Sequence, residues 1–221
     1  SNTTMKAVIF DMDGTLVDND GFIRGVMDSL YGELGFSLTP EEHDMNVGKP
    51  MRVIWAELKN KHGLKESVDE LLHLNKERYF EHHIASDGHV LMPGIWELME
   101  KMEEQGLLMG VATSASRAVM ERVLHELNLK RFLSGISSAD DVEFGKPHPD
   151  IFLRTAELMD VEPADCVVFE DAAHGIAGAK AAGMKTVGYA QQGQSRQDLS
   201  AADLIVHDYQ TLHLEDVRKL W

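Results

Sequence analysis

The sequence predicts an α/β fold: a parallel sheet covered by helices on both faces, interrupted near its start by a helical insertion. Three observations carry this. Short apolar runs bounded by turn residues recur at 7–10, 107–112, 166–169, 186–189 and 204–206, and several are apolar at consecutive positions, as strands buried on both faces are. Helical patterns at 94–105, 116–128, 149–160 and 174–183 lie between them, and strand–helix alternation is how a parallel sheet reads. From about 18 to 87 the alternation stops, and apolar residues fall at helical spacing instead.

The first strand, 7–10, runs straight into the acidic segment 11–18. In the insertion, Phe22, Val26, Leu30 and Leu34 form one stripe; Val53, Ile54 and Leu58, then Leu71, Leu72, Asn75 and Tyr79, continue the pattern. A structureless connection of that length would be anomalous inside a compact domain. Residues 18–87 are therefore expected to be a small domain, with 1–17 and 88–221 forming the core. Pro93-Gly94 opens the next helix and Gly106 closes it. Gly175, Gly178 and Gly183 do not have dinucleotide-loop spacing and read as small residues for close helix packing, with Gly183 also ending its helix. Cys166 opens a buried strand as inert packing, and Met99, Met102 and Met109 fill the core.

Composition narrows the function. The chain has 221 residues, and 37 Asp plus Glu against 21 Lys plus Arg give a net charge of −16. A nucleic-acid binder needs clustered cations and a membrane-surface binder a basic amphipathic face; neither is present. No apolar run approaches the ~18 residues of a membrane span, and the start lacks signal-peptide character. Ser1-Asn2-Thr3-Thr4 reads as a tag remnant ahead of a natural start at Met5. A single cysteine excludes an intrachain disulfide and favours a reducing compartment, so a cytoplasmic location is expected; a monomer is only the default for the oligomeric state. The 11 histidines show no zinc spacing, His82-His83 reads as a solvated helix end, and Gly48-Lys49 lacks the rest of a P-loop.

Chemistry concentrates where strands end. Asp11 and Asp13 sit two apart at the end of a buried strand, and such a carboxylate pair is costly unless a cation or proton compensates it. Gly14 permits a sharp turn and a close ligand approach. DMDGTLVD (11–18) resembles the first motif of the haloacid dehalogenase superfamily, phosphatases and phosphomutases with an aspartate nucleophile. The remaining motifs follow in order: LLMGVATSAS (107–116) with Thr113 and Ser114, FGKPHPD (144–150) with Lys146, and VVFEDAAHGIAGAKAAGM (167–184) with Glu170 and Asp171.

The resemblance implies a Rossmann-like α/β core with a helical cap, the small-cap subfamily I, and a magnesium-dependent phosphatase acting on small phosphate esters such as sugar or polyol phosphates. It implies Asp11 as nucleophile, forming an aspartyl-phosphate, and Asp13 as general acid and then base. Thr113 or Ser114, and Lys146, would bind the phosphoryl group. Magnesium would be held by Asp11, the Asp13 backbone carbonyl and Asp171, with Glu170 beside them. Selectivity would lie in cap residues such as Asn19, Asp20, Gly48, Lys49, Arg52 and Lys76. The alternative on the same scaffold is a β-phosphoglucomutase. That enzyme carries a cap histidine and a cap lysine where this chain has Ile23 and Asn75, and an aliphatic residue in place of Thr15. A phosphoacceptor receiver domain would be much shorter and lack the insertion; a catalytically idle binding protein would not fill every catalytic position.

Overall fold

The structure, a computed structural model, describes residues 3–18, 20–85, 89–191 and 197–221. Strand β1 (Ala7–Phe10) is followed by helices α1 (Asp20–Leu34), α2 (Pro40–Asn46), α3 (Met51–His62) and α4 (Val68–Ala85). Then come α5 (Ile95–Glu104), β2 (Leu108–Ala112), α6 (Arg117–Glu126), β3 (Gly135–Ser137), α7 (Asp150–Leu158) and β4 (Cys166–Glu170). The chain ends with α8 (Ala173–Ala181), β5 (Lys185–Tyr189), β6 (Leu204–Val206) and α9 (Leu214–Arg218).

The strands form one parallel sheet of order β3-β2-β1-β4-β5-β6. Side chains alternate across it as strand geometry requires. Val8 and Phe10 of β1 face a core completed by Met99 and Met102 of α5, Met120 and Val123 of α6, and Leu214 and Val217 of α9. Ala7 and Ile9 face the opposite core, with Ile151 and Phe152 of α7 and Ala179 of α8. Both faces are covered, which is why the strands read as continuous apolar runs. The accessible surface is 10633 Å², close to the ~10,000 Å² that a chain of this mass exposes when folded. Strand order reverses between β1 and β4, and a crevice for ligands opens beyond the carboxyl ends of strands at such a switch point.

Helices α1–α4 enclose a core of their own, built on Leu30, Tyr31, Ile54, Trp55, Leu58 and Leu71. Tyr31 meets the Trp55 ring edge-on at 5.6 Å and stacks on Phe36 at 5.0 Å. Helix α2 begins with a capping box: Glu42 N donates to Thr39 Oγ1 and Thr39 N to Glu42 Oε1, each at 3.2 Å, and such a cap contributes about 1 kcal/mol. The chain leaves the sheet domain and returns to it side by side, since Asp18 N donates to Val90 O and Met92 N to Leu16 O, each at 2.8 Å. Among the described residues, no helix is long and apolar enough to cross a membrane.

Several sequence expectations meet corrections. Strand β3 and helix α9 were not expected; β3 has three residues, one of them glycine, too short for a pattern. Val53 belongs to the expected apolar stripe of α3 but is 41 % exposed and lines the cleft described below. Asn75, in the expected stripe of α4, accepts a hydrogen bond from Trp55 Nε1 at 3.0 Å. Gly175 and Gly178 do pack closely, but Gly183 meets nothing within 4 Å and serves by its positive φ of 81°. Asn19, the side chains of Asp20 and His83, and the expected boundary at 87–88 lie outside the described residues.

Candidate active site

Asp11 follows the last residue of β1, and its N–H donates to the Phe169 carbonyl of β4 at 3.0 Å. That bond carries the sheet register one step past the strand and sets Asp11 beside Glu170. Asp13 lies in the tight turn that follows, where Leu16 N and Val17 N both donate to the Met12 carbonyl at 3.0 and 3.1 Å. Thr113 follows β2, and Asp171 follows β4. Neighbouring strand ends thus supply the expected groups.

Lys146 stands at the centre of these carboxylates, and its side chain is fully buried. Its ammonium donates to Asp11 Oδ1 at 2.9 Å, Glu170 Oε2 at 2.8 Å and the Ala112 carbonyl at 3.0 Å. An ammonium has three donors, so all are committed to the protein. Burial works against the charged lysine, but the Asp11 and Glu170 carboxylates outweigh it and hold its pKa above the ordinary value. As placed here, Lys146 fixes the nucleophile candidate directly. Its expected contact with a phosphoryl group would require one of these bonds to be exchanged.

Glu170 is completely buried. Beyond the Lys146 bond it accepts from Ala172 N at 3.3 Å. It fits only because residue 175 is glycine: a Cβ there would lie 1.9 Å from the Glu170 carboxyl carbon. Burial first, then the neighbouring Asp11 carboxylate, push Glu170 up to about 8, against the pull of Lys146. Ligand oxygens of Asp11, Glu170 and Asp171 lie within 4.8 Å of one another. Three carboxyl groups around one ammonium carry an acidic excess that a proton or a cation must balance. A divalent cation balances that excess, and an oxygen-only set suits magnesium. The residues present fit the ion.

The two hydroxyl candidates part company. Thr113 is 1 % exposed, and its Oγ1 accepts from Ala115 N at 3.1 Å, leaving its own proton to donate. Ser114 Oγ instead donates to the Gly48 carbonyl of the α2–α3 loop at 2.9 Å. Above these groups lies a cleft of about 750 Å³ between the helical insertion and the sheet, lined by Asp11, Asp13, Thr113 and Ser114 below and by Ile23, Met51, Val53, Leu72 and Asn75 above. Lys49, Arg52 and Lys76 also line it. Lys49 pairs with Glu57 at 3.1 Å and Arg52 with Asp69 at 2.7 Å.

Sequence reasoning missed two residues that serve this site. Gln197 accepts from Ala173 N at 3.1 Å and donates from Nε2 to the Asp44 carbonyl of α2 at 2.6 Å, joining the sheet domain to the insertion. Tyr209 donates to the Thr15 carbonyl at 3.0 Å. Neither belongs to a motif, and no local signal marks them.

A sheet whose first strand runs into a buried aspartate, with a lysine from the loop before α7, further carboxylates from the end of β4 and an inserted helical unit above, defines a class of hydrolases. The profile of the family described as haloacid dehalogenase-like hydrolase matches residues 8–189, and the chain belongs to that family. It stands with the family's phosphoric monoester hydrolases. A phosphorylated carbohydrates phosphatase of Thermotoga maritima is 32% identical over 183 residues, covering 80% of this chain and 82% of the relative. Hexitol phosphatase B of Escherichia coli is 28% identical over 182 residues, covering 80% and 79%. The crystal structure of a β-phosphoglucomutase from Clostridium difficile superimposes with a TM-score of 0.83, at 23% identity and with 98% and 96% of the two chains covered; at that identity it speaks for the fold.

Proposed function

We propose that this protein is a magnesium-dependent phosphatase of small phosphorylated metabolites, sugar or polyol phosphates, working through an aspartyl-phosphate on Asp11. The observation that carries the reading is Asp11 at the floor of the cleft, held by Lys146 at 2.9 Å with Asp13 and Thr113 beside it. The names of the Thermotoga and Escherichia relatives support the substrate class.

Asp11 Oδ attacks phosphorus, and the bond from phosphorus to the ester oxygen breaks. Asp13 gives its proton to that oxygen, so an alcohol leaves rather than an alkoxide. Asp13 then takes a proton from water, whose oxygen attacks the same phosphorus, and the bond to Asp11 breaks to release phosphate. Thr113 donates to a phosphoryl oxygen, and Lys146 holds Asp11 in orientation through its 2.9 Å hydrogen bond. Asp11, Asp171 and the Asp13 backbone carbonyl would hold magnesium, which offsets the charge that repels two anions. Glu170 orients Lys146, and residues 18–87 act as a cap that closes over the cleft.

A mutase must hand the phosphoryl group to and from a second hydroxyl held by the cap. Ile23 has no titratable group, and Asn75 is a neutral amide engaged with Trp55, which supports hydrolysis over transfer. The test is phosphate release across a panel of sugar and polyol phosphates, with and without EDTA, alongside β-glucose 1-phosphate with a trace of its 1,6-bisphosphate. Magnesium-dependent release is expected; rapid formation of glucose 6-phosphate would overturn the reading.

A further inference from the structure

We propose that Tyr209 is a positioning residue for the magnesium ligand Asp171, acting through Thr15. The inference rests on the metal site assigned above and concerns how that site is held. Tyr209 lies beyond β6, far along the chain from the first motif, and is 2 % exposed. Its ring stacks on Tyr189 with centroids 4.0 Å apart and planes 11° apart. A buried phenol needs a partner for its hydroxyl, and Tyr209 finds it in the Thr15 carbonyl at 3.0 Å.

Thr15 touches both sides of this relay. Its side chain is completely buried, and Oγ1 donates to Asp171 Oδ1 at 3.3 Å. The adjoining Gly14 has φ 79°, and a Cβ there would lie 2.1 Å from Asp171 Oδ2. The Asp171 carboxylate therefore rests against residues 14–15 at both oxygens. The turn is closed internally on the Met12 carbonyl, and Met92 N fixes the next carbonyl, Leu16 O, at 2.8 Å. The Thr15 carbonyl is left for Tyr209. Without that bond the turn loses one of its anchors, the one made at Thr15 itself, and the hydroxyl that aims Asp171 is held less firmly. A ligand must be held in place before the ion arrives if ordering it is not to weaken binding.

The proposal predicts a specific loss of metal affinity. Magnesium titration calorimetry on the full chain, with thermal unfolding in EDTA alongside, is run for the natural protein, Tyr209→Phe, Thr15→Val, Thr15→Ser, the Tyr209→Phe/Thr15→Val double variant and Asp171→Asn. Tyr209→Phe keeps the stacked ring and should weaken magnesium about three- to tenfold, up to the loss expected for one neutral hydrogen bond, alongside a small drop in the EDTA midpoint because the buried Thr15 carbonyl loses its donor. Thr15→Val should weaken it at least as much, and Thr15→Ser should restore it. The double variant should bind no more weakly than Thr15→Val alone, because Tyr209 acts only through Thr15. Natural affinity in Tyr209→Phe, a multiplicative loss in the double variant, or a lowered EDTA midpoint with unchanged affinity of the folded protein each overturns the proposal. Undiminished binding by Asp171→Asn overturns the metal assignment and this inference together; weakened binding there with natural affinity in Tyr209→Phe overturns this inference alone.

Discussion

Ser114 Oγ donates to the Gly48 carbonyl at 2.9 Å, so the loop after β2 is tied directly to the insertion. The two residues flank a closed seam. Pro50 presses against Gly145, where a Cβ would come within 2.2 Å of its Cγ, and Gln197 bridges Ala173 to Asp44 at the far end. A neutral hydrogen bond is worth about 1 kcal/mol net, enough to shift a two-state cap equilibrium several-fold. Residues that tie the insertion to the sheet can thus be separated by experiment from those proposed to hold phosphate.

Thr113→Ala and Ser114→Ala should differ in their response to inorganic phosphate as a competitive inhibitor. On the proposed function Thr113 donates to the phosphate anion, and such a bond contributes about 1.5–3 kcal/mol; its loss should raise the inhibition constant at least tenfold. Ser114→Ala should change that constant less than threefold while raising KM for a full substrate. Inhibition constants for the two variants check this, and equal losses would place both hydroxyls on phosphate.

Gly145→Ala should cost activity without costing the fold. Its Cβ meets a proline ring of the insertion, not the interior of either unit, so only the seating of the cap suffers. A displacement of about 1 Å near a reaction centre costs up to ~100-fold, and kcat/KM should fall at least tenfold. Steady-state kinetics with a melting curve decide it; unchanged kcat/KM would mean that the seam opens freely during turnover.

Gly175→Ala should destabilise the protein strongly. Its Cβ would overlap the Glu170 carboxyl group at 1.9 Å and expel it from Lys146. Removing a buried charge's partner costs about 3–5 kcal/mol, whereas Gly→Ala at an unstrained site stabilises by about 0.4–1 kcal/mol. Urea denaturation measures the difference, and a loss below about 1 kcal/mol would show that the pocket relaxes around the methyl group.

Cys166 should be chemically silent in the folded protein. Burial, then the Asp165 carboxylate, push its thiol up to about 12, and the thiolate is the reactive form. An aromatic disulfide reagent at pH 8 should modify it only as fast as the chain unfolds. Rapid stoichiometric modification of the native protein would contradict its placement at the start of β4.

What the sequence revealed follows from the range of the interactions involved. Asp11, Glu170 and Asp171 could be read because each ends a strand whose apolar run marks it, and the sheet register brings those ends together. Lys146 could be read from its loop, but not its commitment of every donor to protein acceptors, which depends on Ala112 across the site. The choice between Thr113 and Ser114 needed the insertion in place, because Gly48 is the partner that separates them. Val53 falls in an apolar stripe yet lines the cleft, because helical spacing cannot distinguish a stripe facing a core from one facing a cleft. Gln197 and Tyr209 act on residues 153 and 194 positions away, and neither carries a pattern of its own.

The central claim is that Asp11 is the nucleophile of a magnesium-dependent phosphatase. The most direct measurement is phosphate release from an aryl phosphate by the natural protein, with magnesium and with EDTA, and by Asp11→Asn with magnesium. Release that requires the metal and vanishes in Asp11→Asn is the expected result. Turnover that survives either EDTA or the Asp11→Asn change would contradict the account.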